Sequence, residues 1–70
     1  MTQEELSKNI LDSVYDPIPG SNTEFGWDGK DLYYRCFISG GDWQKVTKLK
    51  FNASRVVSIS KMLERNGIDD

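Results

Sequence analysis

The chain has no histidine and a single cysteine, Cys36, among 70 residues. The commonest general base is therefore absent, and Cys36 has no imidazole to make it a thiolate nucleophile. One cysteine forms no internal disulfide, and without histidine it builds no zinc site of the usual kind. No run approaches the roughly 18 apolar residues that span a bilayer. The start, MTQEEL, is polar and acidic. It lacks the basic and apolar regions of a signal peptide, which predicts a cytoplasmic protein. No glycine-rich phosphate loop is present: Gly40-Gly41 leads into Asp42 and a strand pattern, not into a helix with Lys-Ser/Thr. The sequence is read as non-catalytic, without cofactor or metal.

Acidic residues are also missing from one long stretch. Between Trp43 and Leu63 the bases Lys45, Lys48, Lys50, Arg55 and Lys61 meet no Asp or Glu. Residues 1–42 hold eight acids and three bases, and the whole chain is at −2. Such segregation predicts a dipolar surface that attracts charged partners. Asn52-Ala53-Ser54 matches a glycosylation pattern, which means nothing without secretion.

What is present suits one small α+β domain. Thr2 and Glu5 read as a capping box opening a helix over 2–15. Leu6, Ile10 and Val14 give it an apolar stripe, with Leu11 and Tyr15 beside them. Asp16-Pro17 ends it. Three strands are expected within 23–51: Thr23–Trp27, Leu32–Ser39 and Trp43–Phe51. Asp28-Gly29 makes a hairpin turn between the first two. On the middle strand Leu32, Tyr34, Cys36 and Ile38 face one way, and Tyr33, Arg35, Phe37 and Ser39 the other. Cys36 is then a small core hydrophobe. A helix over 53–66 follows, capped by Asn52 or Ser54. Its stripe is Val56, Ile59 and Leu63, flanked by Val57 and Met62. Asn66-Gly67-Ile68 ends it. The fold expected is a three-stranded antiparallel sheet with both helices packed on one face.

This α-β-β-β-α order resembles that of double-stranded-RNA-binding domains. The last two strands and helix are similar to small DNA-binding domains of tyrosine-recombinase arms. The likeness is one of topology. Where the RNA-binding family opens its second helix with a lysine cluster, this chain has Asn52-Ala53-Ser54-Arg55-Val56.

Three binding readings follow. In the first, nucleic acid meets the sheet. Tyr33, Phe37 and Trp43 stack bases while Arg35, Lys45, Lys48, Lys50 and Arg55 hold phosphates. Lysines on an edge strand also guard against aggregation, and an acidic chain is a poor polyanion binder. In the second, an inhibitor or adaptor of the phage type engages a basic protein through Glu5, Asp12, Asp16, Glu24, Trp27, Asp28 and Asp31. In the third, the open sheet face joins two copies of the chain.

Overall fold

The computed structural model describes residues 2–47 and 51–67. It is an α+β fold of two helices and an antiparallel sheet, with four strands rather than three. The elements are α1 (Gln3–Asn9), β1 (Asp12–Tyr15), β2 (Thr23–Trp27), β3 (Leu32–Cys36), β4 (Gln44–Lys45) and α2 (Ala53–Arg65). Each strand pairs with the next, so the sheet is a simple meander.

The expected helix over 2–15 is the main correction. Thr2 does cap it, its Oγ1 accepting from the Glu5 N–H at 3.2 Å. The helix ends at Asn9, and Ile10 is already extended. Asp12–Tyr15 pairs instead with Glu24–Trp27. Asp, Ser, Val and Tyr are weak helix formers, and as a strand Val14 alone enters the core. The four-residue spacing of Leu6, Ile10 and Val14 imitates a helical stripe that the fold does not use.

A single glycine shapes the 28–31 turn. Gly29 has φ +95, and no described non-glycine residue is positive. A glycine at the first central position is the II′ arrangement, whose twist suits a hairpin. The Asp28 carboxylate closes it, accepting from the N–H groups of Lys30 at 2.8 Å and Asp31 at 2.6 Å.

Register assigns the two faces. Val14, Phe25 and Tyr34 align across three strands. They face α2, where Phe25, Ile59 and Met62 form the buried cluster with Trp27, Leu32 and Leu63 around it. Met62, expected at the flank of the α2 stripe, is fully buried, whereas Val56 is half exposed. Asn52 is the cap of α2, accepting from the Arg55 N–H at 2.9 Å.

Two Arg–Asp clamps tie α2 to the ends of β1. Arg55 Nη2 meets Asp16 Oδ2 at 2.6 Å, and Arg65 grips Asp12 with Asn66 beside it.

The other face carries Ser13, Tyr15, Glu24, Gly26, Tyr33 and Arg35. Trp43 folds over it. A Cβ on Gly26 would lie 2.8 Å from the indole and 3.1 Å from Ile10, so only glycine admits this approach. Gln3 of α1 holds both backbone groups of Trp43, at 2.8 and 2.9 Å. Thus α2 covers one face, while α1 is fastened at the other. The two helices do not share a face.

Candidate functional site

The candidate site is the sheet face opposite α2, which Trp43 and Ile10 cover at Gly26 and which is open at its Tyr15–Phe37 end. At its centre Arg35 donates Nε to Glu24 Oε1 at 2.8 Å. Its guanidinium carbon lies 4.5 Å from the Trp43 ring centroid, a cation–π stack. Glu24 is buried, and its other oxygen accepts from the Ser13 hydroxyl at 2.9 Å. The ladder continues past β3, with the Phe37 N–H donating to the Asn22 carbonyl. This brings Phe37 against Tyr15, with ring centroids 4.9 Å apart. The rings remain 38% and 66% exposed, and Ile38 in the adjoining turn is 68% exposed.

The expected row Tyr33, Arg35, Phe37 thus does lie on one face, away from α2. Lys45 joins it by pairing with Tyr33, and also contacts Asp31 at 3.6 Å. Tyr33 stands beside Asp28 and Asp31. Burial and those two negative charges push its phenol above the ordinary value. Burial works to raise Asp28, but the Asp31 and Lys30 backbone N–H groups outweigh it and hold this carboxyl low.

The remaining expected base-stacking and phosphate groups are dispersed. Trp43 is buried and supports Arg35 from beneath rather than presenting a ring to solvent. Arg55 is on the α2 side, bound to Asp16. Lys48 and Lys50 lie outside the described residues. No shared phosphate surface of Arg35 and Arg55 exists.

The acidic set is equally divided. Asp12 is held by Arg65, and Asp16 by Arg55 with the Ser21 hydroxyl. The guanidinium hydrogen bonds keep both carboxyls below the usual range. Glu24 is matched to Arg35, and Trp27 packs against the core. Glu5 is exposed on α1 and forms no ion pair among the described residues. Asp12, Asp16, Glu24 and Asp31 are thus each matched by a base in space.

Tyr15 and Ile38 are the surface residues that sequence reasoning passed over. Helical spacing puts the first beside a stripe, and strand alternation puts the second on the core face. Cys36, expected in the core, is half buried at the end of β3. Hydrogen bonds from Ser39 hold its thiol below the ordinary value.

A second apolar feature lies across the molecule. Leu32, Phe51, Val56, Ile59 and Ser60 line an open groove of about 240 Å³ between the sheet and α2. Among the described residues no three potential metal ligands converge, and no helix is long and apolar enough to cross a membrane.

Comparisons with protein-family models, curated proteins and solved structures find no match to this chain.

Proposed function

We propose that the chain is a non-catalytic binding module whose partner is a protein, met through the open sheet face. The Tyr15–Phe37 pair, its rings in tilted contact and both partly exposed, carries this reading. Tyrosine, phenylalanine and arginine are enriched in protein interfaces, and tyrosine and arginine are common anchors there. Such a module acts as an adaptor or inhibitor. A reducing cytoplasm suits the lone thiol of Cys36.

The nucleic-acid reading keeps one support, the row of Tyr33, Arg35 and Phe37 with Lys45. It is the weaker reading because Arg35 already answers Glu24, Arg55 answers Asp16, and Trp43 is buried. Asp28 and Asp31 beside Tyr33 also repel phosphate. The acidic-surface reading loses ground for the mirror-image reason, since Asp12, Asp16 and Glu24 are engaged within the fold.

Photo-crosslinking in the producing cell tests the proposal. A benzophenone amino acid replaces Phe37 in one variant and Val57, on the exposed side of α2, in another. The expected result is a protein adduct at position 37 that is absent at position 57. A nucleic-acid adduct at 37 would overturn the reading. An adduct to a second copy of the chain would make the partner a homodimer mate.

A further inference from the structure

We infer that the open face recognises a carboxylate carried next to an apolar side chain on the partner protein, with Arg35 as the receiving fork. This rests on the protein-binding reading above. Arg35 uses only Nε internally, and its terminal nitrogens donate to no group among the described residues. Its side chain is 32% exposed. The guanidinium is nonetheless fixed, by Glu24 at one edge and the indole of Trp43 on one face. Its supports are fixed in turn. Ser13 occupies the second oxygen of Glu24, and Gln3 holds the backbone of Trp43 on both sides.

An arginine held this way has surrendered rotamer freedom before any partner arrives, so ordering it on binding costs little. The two terminal nitrogens form one planar edge, with no acceptor among the described residues, that matches the two oxygens of a carboxylate. The apolar half of the site lies alongside. Phe37 follows Arg35 by two positions, just past the end of β3, where its N–H still bonds the Asn22 carbonyl. Tyr15 lies across the sheet against Phe37. Charge favours one carboxylate over a polyanion. Glu24 already offsets Arg35, and Asp28 and Asp31 lie further along the face, so repeated phosphates would meet repulsion.

Random peptides displayed on phage and selected on the full chain provide the test. Enriched peptides should carry Asp, Glu or a terminal carboxylate within two residues of an aromatic or aliphatic side chain. Changing that acid to its amide should weaken binding about tenfold, the usual worth of a charge-assisted hydrogen-bonded contact. Arg35→Lys keeps the charge but loses the fork, and should lose a similar factor. Phe37→Ala should weaken all enriched peptides. If Arg35→Lys disturbs the fold, the acid-to-amide change in the peptide decides the matter without altering the protein. Peptides that depend on Phe37 yet tolerate the amide would overturn the carboxylate inference and leave the protein-binding reading standing. Absence of any peptide dependent on Phe37 would overturn both. Salt-sensitive binding of oligothymidylate that is lost in Phe37→Ala would assign the face to nucleic acid and overturn both as well.

Discussion

The two faces of one small sheet are built to opposite rules. The α2 face buries Phe25, Ile59 and Met62 and fastens its helix with two Arg–Asp clamps. The open face also has an ion pair and a tryptophan, but its outermost aromatics are left in water. The first face spends its side chains on stability. The second holds Arg35 still while leaving Tyr15, Phe37 and Ile38 available. Exposed rings in a domain with so small a core are a liability unless something meets them.

That contrast predicts unequal responses to mutation. The largest effect belongs to Phe25→Ala. Removing a fully buried ring costs about 3–5 kcal/mol, near the roughly 3–5 kcal/mol that a core of this size supplies. Circular dichroism should show the variant largely unfolded at 37 °C.

Arg55→Ala comes next. It strands Asp16, whose side chain has no exposure at all, and a stranded buried charge costs about 3 kcal/mol. The urea midpoint should fall clearly, and adding Asp16→Asn should restore part of it. An unchanged midpoint would mean the clamp does not hold α2.

The same clamps set a pH response. Both Asp12 and Asp16 have folded values below their ordinary one. Their stabilisation is therefore complete above the unfolded carboxylate value of about 3.9. It is lost as pH falls through the lower folded values. Urea midpoints measured from pH 7 down to pH 2 should stay level until about pH 4 and then drop, less steeply in Arg55→Ala.

On the other face, Gly26→Ala should cost about 1–3 kcal/mol, because the added carbon overlaps the Trp43 ring. A shifted tryptophan emission would accompany it. The smallest effect is expected for Phe37→Ser. It should cost no more than about 1 kcal/mol, the worth of one partly exposed aromatic contact. Its consequence should appear in binding alone. A large loss of stability there would erase the distinction between the faces.

Legibility in the sequence followed the range of the interactions. Helix α2, its Asn52 cap and the glycine after it came from local signals, as did β2, the turn at Asp28-Gly29 and most of β3; the strands expected over Leu32–Ser39 and Trp43–Phe51 are shorter, ending at Cys36 and confined to Gln44–Lys45 among the described residues. Strand β1 did not. Its residues carry a helix-like spacing, and their partners on β2 are 9–15 positions away by register. Gly26 had a faint signal, since a lone glycine inside a strand marks a close approach. What approaches it, Trp43, is decided by a hairpin and a loop later.

Charge, too, is legible along the chain but not in space. Its segregation along the chain is plain, and it suggested two rival charged surfaces. The fold instead joins Asp12 to Arg65 and Asp16 to Arg55, residues 53 and 39 positions apart. Those charges are answered within the fold and not by an outside partner.

The sequence by itself determined a small α+β chain without histidine chemistry, its second helix and its central hairpin. Capping, turn geometry and alternation act over a few residues and need no tertiary partner. Only the tertiary structure decided that residues 12–15 are a strand, that α1 and α2 attach to different faces, and that Tyr15 and Phe37 meet in solvent beside a pinned arginine. Those outcomes depend on strand register and on which distant side chain satisfies each buried charge, and no local preference encodes either.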